Sequence, residues 1–241
     1  MSSLYSLARD GELPDHQYMD EETLDWICFN NPFGNGGTQA NMIDMSGLSR
    51  VAKQYIPQRQ WFTEPKVIDG IHGIRHLLRV TVIAYLLSKT YMLSEDDTQS
   101  LLISASLHDI RRHNDCADLS HGERSAVWFR DNHKEVESHY LLGKKAIDID
   151  LIFQLILLHE VPYNDIDKST FLNERVFDIL KVADGLDRFR QPKLKWWPDE
   201  RYFHLRPSQE LVRFAYREVV ESETLFLLSG LSEESVLKTI N

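Results

Sequence analysis

Apolar residues recur at spacings of three and four along most of the chain after residue 60, which is the pattern of helices that bury one face. The clearest case runs from Ile71 to about Lys89. Ser94 and Asp97 have the spacing of a capping box and predict the start of the next helix, which extends to His108. Further helices are predicted at about 47–56, 121–133, 147–159, 172–188, 208–228 and 232–240.

The alternation of apolar and polar residues that marks half-buried strands is nearly absent. Even the apolar run from Ile147 to Leu158 is longer than most strands and fits a helix better. The pattern therefore predicts an all-α fold, with a helical bundle over about 61–241.

Residues 1–60 have a different character, because they contain acidic stretches and a glycine-rich run at 31–37. That run lacks the Gly-Lys-Ser/Thr ending of a phosphate-binding loop, so it predicts an ordinary loop. We expect 1–60 to be an irregular N-terminal extension that acts as a lid or as the element that sets specificity.

The composition is that of a water-soluble globular protein: 241 residues, of which 42% are hydrophobic and 27% charged. No apolar run approaches the roughly 18 residues that cross a bilayer, and charged residues occupy the place of a signal sequence. Cys28 and Cys116 allow at most one disulfide. These features predict a cytoplasmic location and no membrane partner.

The charge balance limits the kinds of partner. The chain has 27 Lys and Arg residues against 37 Asp and Glu, a formal net charge of −10, which repels the backbone of a long nucleic acid. A local basic pocket for a small anion is compatible with this charge. The helices at 208–228 and 232–240 either cover the core or form the face of a homodimer.

Histidine and aspartate residues fall on the apolar helical segments, where burial is unfavourable unless a cation compensates for it. Imidazole and carboxylate donors without a thiolate suit Mn, Fe, Co, Ni or Zn. Such a site needs helices that are distant in sequence to meet in one bundle. The set consists of His72, His76, His108, Asp109, His121, His159 and Asp184.

Four segments carry a resemblance over about residues 71–190. They are His76-Leu77-Leu78-Arg79-Val80, the His108-Asp109 doublet, His159 after an apolar run, and Ala183-Asp184-Gly185-Leu186-Asp187. Together they resemble the HD-domain superfamily of metal-dependent phosphohydrolases. The resemblance implies an HD-type helical bundle and a phosphate ester or anhydride of a small molecule, such as a nucleotide, as the substrate.

Carried over to this sequence, the resemblance makes His76, His108, Asp109 and Asp184 the ligands of one divalent ion, with Mg as a further choice of metal. His121 and His159 are the added ligands if there are two ions, and His72 is either a ligand or close to substrate. Asp109 would bridge two ions, and a water of lowered pKa would attack phosphorus.

With a single ion, a base such as His121, Glu123 or His72 would be needed. Arg188, Arg112 and Arg111, with His72, are the predicted substrate-binding residues, because guanidinium groups suit phosphoryl oxygens. Arg79 is expected to pair with a buried carboxylate. Two other functions stay open: a di-iron oxygenase with the same ligands, and a nucleotide-binding regulator without catalysis.

Overall fold

The structure is a computed structural model that describes residues 3–14, 17–34, 43–140 and 146–241. Within these ranges it contains eleven α-helices and no strand, which confirms the predicted all-α class. The helices are α1 Leu4–Asp10, α2 Glu21–Phe29, α3 Leu48–Gln54, α4 Pro65–Ile68, α5 Ile74–Thr90, α6 Glu95–Leu107, α7 His121–His139, α8 Ile149–Leu158, α9 Glu174–Leu186, α10 Gln209–Ser229 and α11 Ser232–Thr239. Short 3₁₀ helices lie at Arg59–Trp61, Tyr163–Asp165, Lys168–Thr170, Asp187–Arg190, Leu194–Trp196 and Glu200–Tyr202.

Helix α5 is the centre of the bundle. It packs against α6 and α9 and also contacts α3, α10 and α11. Every residue from Ile74 to Ala84 is buried, so this part of α5 is covered on all sides. Helices α7 and α8 form a pair that joins the bundle through α6. This arrangement brings one end of each of α6, α7 and α8 towards α5 and α9.

The helix predicted after Ser94 begins as expected. Ser94 Oγ accepts a hydrogen bond from the backbone N–H of Asp97 at 3.0 Å, so Ser94 caps α6. The other helices predicted from spacing also lie within a few residues of their expected bounds. All eight helices predicted between residues 47 and 240 are therefore present, and the structure adds the four-residue α4, which was not predicted.

The N-terminal segment contains α1 and α2, two helices that the hydrophobic spacing did not predict. Each has at most nine residues, too few for a 3.6-residue period to stand out. Leu4, Ile27 and Leu48 are fully buried in the same core as the bundle, and Tyr216 Oη of α10 donates to the carbonyl of Ile27 at 3.0 Å. The described parts of 1–60 are thus packed against the bundle.

The sequence allows at most one disulfide, between Cys28 and Cys116. Cys28 is exposed and Cys116 is half-buried, and both are free thiols. Cys116 Sγ contacts the Pro14 carbonyl and accepts from Gln17 Nε2 at 3.3 Å, so the extension touches the loop between α6 and α7.

Of the glycine-rich run, residues 35–37 lie outside the described residues. No helix among the described residues is long and apolar enough to span a membrane.

Candidate metal centre

The six predicted metal ligands come from five consecutive helices and meet in the interior. His76 lies in the first turn of α5, His108 caps the C-terminus of α6 and Asp109 follows it. His121 is the first residue of α7, and His159 caps the end of α8. Asp184, near the end of α9, keeps 28% of its side chain exposed and so forms the open side of the centre; the other five residues are buried.

One group of donors surrounds His76. Its Nε2 atom lies 3.1 Å from His108 Nε2, 3.4 Å from Asp184 Oδ1 and 3.6 Å from Asp109 Oδ2. Two donors that are each about 2.1 Å from one ion are about 3.0–3.4 Å apart in octahedral or tetrahedral geometry. The distances from His76 Nε2 to His108 and Asp184 lie in or near this range, whereas Asp109 Oδ2 and, at 3.9 Å from His108 Nε2, Asp184 Oδ1 are slightly farther apart. These four residues, called the first donor group below, surround a space that a single ion could occupy after small shifts.

A second group lies on the other side of Asp109. His121 Nε2 and His159 Nε2 are 2.9 and 3.3 Å from Asp109 Oδ1, and 3.0 Å from each other. Asp109 thus directs one carboxylate oxygen to each group, as a bridging ligand would. Asp109, His121 and His159 are called the second donor group.

The four imidazoles are oriented through their Nδ1 atoms. His76 Nδ1 lies 2.8 Å from Asp187 Oδ2, and His108 Nδ1 lies 2.9 Å from the Ala105 carbonyl. For His121 and His159 the acceptors are the carbonyls of Asp118, at 2.6 Å, and Ile156, at 2.7 Å. Since every partner is an oxygen acceptor, each Nδ1 carries a proton, and the Nε2 atom of each neutral ring presents a lone pair to the centre.

This donor set fits a divalent transition metal. Two Nε2 lone pairs at 3.0–3.1 Å repel each other unless a proton or cation lies between them. Asp109 Oδ1 is buried, and no hydrogen bond of good geometry reaches it from the described residues. Nitrogen and carboxylate donors together suit Mn, Fe, Co, Ni or Zn. His76, His108, Asp109 and Asp184 could hold one ion, and His121 and His159 could complete a second.

The protonation of the histidines differs between the two groups. Burial lowers the pKa of His108 to about 3, and burial together with Arg190 lowers the pKa of His76. Burial acts in the same direction on His121, but Asp109 and Glu160 outweigh it and raise its pKa to about 10. The imidazoles of His76 and His108 are therefore neutral at pH 7, whereas that of His121 is protonated when no metal is bound.

Arg112 adds a fixed positive charge to the second donor group. Its Nη1 atom lies 3.2 Å from His121 Nε2 and 3.7 Å from Asp109 Oδ2, while Nη2 donates to the Cys116 carbonyl at 2.6 Å. Burial would raise the pKa of Asp109, but Arg112 and His121 hold it well below its usual range. Of the predicted substrate-binding arginines, Arg112 is the one with a guanidinium nitrogen at this centre.

The other predicted substrate-binding residues lie in different positions. His72 Nδ1 is 3.1 Å from the buried Asp115 Oδ1, and its ring contacts the ring of His76 edge-on, with centroids 5.9 Å apart. Arg111 donates to the Trp61 carbonyl at 2.8 Å and lies over Trp128. Arg188 is exposed on the 3₁₀ helix after α9. His72 and Arg112 thus lie beside the centre, whereas Arg111 is hydrogen-bonded to the segment between α3 and α5 and Arg188 is exposed.

Four acidic residues around the centre were not predicted from the sequence. Asp187 bonds to His76, Arg79 and Arg190, and Glu223 accepts from Arg79 Nη1 at 2.7 Å. Asp115 holds His72, and Glu160 Oε2 lies 3.0 Å from His121 Nδ1. The signal for Asp187 was its place three residues after Asp184. The expected carboxylate partner of Arg79 is therefore Asp187, with Glu223 as a second.

A separate group of donors lies on the surface. Glu174 and Asp178 of α9 and the exposed His204 have donor atoms within 4.8 Å of one another. Asp178 Oδ1 already accepts from Tyr163 Oη at 2.7 Å. This surface group has to be separated from the buried centre in any measurement of metal content.

No family model, curated protein or solved structure matches this chain. The function of the protein is therefore inferred from the geometry of the centre and from the residues that form it.

Proposed function

We propose that this protein is a metal-dependent phosphohydrolase of the HD-domain type that acts on a small phosphorylated molecule, such as a nucleotide. The observation that carries the proposal is the convergence of four Nε2 atoms on Asp109 and Asp184, with every Nδ1 atom held by an oxygen acceptor. A purely structural histidine cluster would not need four Nε2 atoms directed at two shared carboxylates.

The first donor group is the stronger metal site in this proposal. Arg112 Nη1 lies 3.2 Å from His121 Nε2, a donor of the second group alone, whereas its approach to the first group is longer, 3.7 Å to Asp109 Oδ2. A positive charge 3.2 Å from a donor opposes a second cation. We infer one tightly bound ion, at His76, His108, Asp109 and Asp184, and a weaker second site.

A divalent ion bound by these donors would lower the pKa of a water molecule and so supply a nucleophile for attack on phosphorus near neutral pH. Arg112 is placed to meet charge that develops on phosphoryl oxygens, because its Nη1 atom faces the centre while Nε and Nη2 are fixed by the carbonyls of Asn114 and Cys116. That fixed geometry supports a role for Arg112 in orienting the phosphoryl group.

His72 is the side chain best placed to transfer a proton beside the centre. Asp115 accepts from its Nδ1 and also from its backbone N–H at 3.2 Å, which fixes the ring with Nε2 free. In this proposal Nε2 of the neutral His72 ring accepts a proton from the attacking water, and Asp115 is a positioning residue.

The test is a screen of phosphate release from nucleotides and simple phosphate esters with added Mn, Mg, Co, Ni, Zn or Fe, run beside elemental analysis. Asp109→Asn should abolish turnover and metal retention, while Asp150→Asn, an exposed position on α8, should leave both unchanged. Retained turnover in Asp109→Asn would refute the proposal. Bound iron with substrate-dependent O₂ uptake would instead favour an oxygenase, and nucleotide binding without turnover under every metal would favour a regulator.

A further inference from the structure

A cavity of about 600 Å³ lies at the junction of α3, α7 and α11, and none of the six proposed ligands lines it. Its walls include Ile56 and Pro57 from the segment after α3, and Tyr140 at the end of α7. Sites for small molecules commonly have volumes of about 300–1,000 Å³ and combine apolar walls with a few polar groups. The cavity is therefore large enough for a ligand of nucleotide size.

The polar side chains of the cavity are mostly cationic. Arg50 and Lys53 lie one turn apart on α3, both are exposed, and neither has an ion-pair partner within the described ranges. Arg59 is already paired, with Asp69 at 3.0 Å and Glu233 at 3.1 Å. Two cations one turn apart beside apolar lining residues suit a phosphate group.

Three hydrogen bonds fix other lining residues of the cavity. His139 Nε2 donates to the Ile56 carbonyl at 2.9 Å, and Gln58 Nε2 donates to His139 Nδ1 at the same distance. Gln54 Nε2 donates to the Tyr140 carbonyl at 3.2 Å. The shape of the cavity is thus set before any ligand binds, which lowers the entropy lost on binding.

Two connections run from the cavity walls to the residues around Asp109. Tyr140 Oη and Ser106 Oγ are 3.0 Å apart, and Ser106 is two residues before His108. The segment that contains Ile56 and Pro57 continues to Trp61 and Thr63, where Arg111 Nη1 donates to the Trp61 carbonyl and the Thr63 N–H donates to the Ile110 carbonyl. A ligand that contacts both walls therefore restrains the residues on both sides of the His108-Asp109 doublet.

We propose that this cavity is a regulatory site for a phosphorylated molecule of nucleotide size. The phosphate binds Arg50 and Lys53, and the flat part of the molecule packs against Ile56, Pro57 and Tyr140. The binding itself needs no metal, whereas its regulatory effect rests on the proposed function of the metal centre.

Calorimetry with ADP and with inorganic pyrophosphate tests the binding site in the full chain. EDTA in the buffer removes metal from the buried centre. The double variant Arg50→Glu/Lys53→Glu should bind both probes about a hundredfold more weakly, since each charged hydrogen bond contributes about tenfold. Arg50→Gln/Lys53→Gln should lie between this variant and the wild type.

The matched control is Lys66→Glu/Lys168→Glu, which makes the same charge change at exposed residues outside the cavity. It should bind like the wild type, and circular dichroism should show that all variants keep their helices. Equal affinities in the three charge states, an equal loss in the control, or no saturable binding to the wild type would each overturn the site.

Hydrogen exchange tests the regulatory part. Saturating ADP should slow exchange in peptides that cover residues 101–112 in the wild type and should not do so in Arg50→Glu/Lys53→Glu. Binding of ADP without this change would overturn the coupling. Since neither measurement requires turnover, failure of the phosphohydrolase proposal would leave the binding result intact.

Discussion

His76 Nδ1 lies 2.8 Å from Asp187 Oδ2, and both side chains are fully buried. Burial would raise the pKa of Asp187, but Arg79, Arg190 and His76 hold it well below its usual range. Asp187 is therefore an anion that fixes the His76 ring without facing the metal centre itself. A carboxylate behind a ligating histidine typically contributes about 10- to 100-fold to metal affinity.

The first prediction concerns this pair. Asp187→Asn should weaken metal binding about 10- to 100-fold, measured by calorimetry with Mn, because the His76 ring loses its charged acceptor. Glu223→Gln is the matched control, since it removes the charge of the second carboxylate that pairs with Arg79. Glu223 makes no contact with His76 in the described structure. The control variant should lower the free energy of unfolding and keep the metal affinity. Equal metal loss in both variants would show that general destabilisation is the cause.

The second prediction separates the two donor groups. His108→Gln should lose the tightly bound ion, whereas His159→Gln should retain about one equivalent by elemental analysis. Arg112→Met should strengthen the second site, because the cation 3.2 Å from His121 Nε2 is removed. All of these proteins should carry His204→Ala, so that the surface group with Glu174 does not contribute. Loss of all metal in His159→Gln would contradict the assignment.

The third prediction concerns His72 and Asp115. His72→Gln and Asp115→Asn should each lower kcat about 100-fold with metal content unchanged, the low end of the usual contribution of general base catalysis. Because the two residues act as a unit, the double variant should be little worse than either single variant. Additive losses would show that they act separately.

A backbone variant tests the same pair without changing either side chain. A Cβ atom at Gly70 would lie 2.0 Å from Asp115 Oδ2, so Gly70→Ala should displace Asp115 and lower kcat as Asp115→Asn does. Gly11→Ala, where a Cβ meets no atom within 4 Å, is the control for turnover, although its positive φ of 78° lowers stability slightly. Normal turnover in Gly70→Ala would weigh against a positioning role for Asp115.

The fourth prediction is a pH dependence of stability. Burial raises the pKa of Glu218 from 4.5 to about 7, and Thr239 Oγ1 donates to its Oε2 atom at 2.5 Å. The folded state then holds a proton that the unfolded state has released, so stability falls as pH rises from about 4.5 to about 7. The expected change is up to about 3 kcal/mol.

Urea unfolding of the wild type and Glu218→Gln across this pH range checks the prediction. The difference between their free energies of unfolding should shift with pH in favour of the variant, since glutamine remains neutral throughout. A constant difference from pH 4.5 to 7 would contradict the raised pKa of Glu218.

The fifth prediction concerns the N-terminal segment. Ile27→Ala should lower the free energy of unfolding by about 2–5 kcal/mol, because the side chain is fully buried between α2 and the bundle. Phe29→Ala, two residues along the same helix and 88% exposed, should change it by less than about 0.5 kcal/mol. Deletion of residues 1–60 should expose apolar surface on α5 and α10 and lower the melting temperature. An unchanged melting temperature would show that the bundle is stable alone.

The sequence by itself determined the helices from residue 47 onward and the residues of the metal centre. Both depend on local signals: the 3.6-residue period, the cap at Ser94, and polar groups placed where a buried helix ends. The six donors then meet because an apolar helix carries its terminal residues into the core with it. The order of the motifs along the chain was therefore enough to predict that these six residues form one site.

Only the tertiary structure decided how those donors are used. Asp187 and Glu160 acquire their roles from side chains 111 and 39 residues away, and nothing local distinguishes Arg112, which faces the centre, from Arg111, which does not. The two N-terminal helices likewise have too few turns to show a period and are stabilised by burial against α10 and the 3₁₀ region after α9. Contacts distant in sequence leave no pattern in it, because their free energy arises only when the chain is folded.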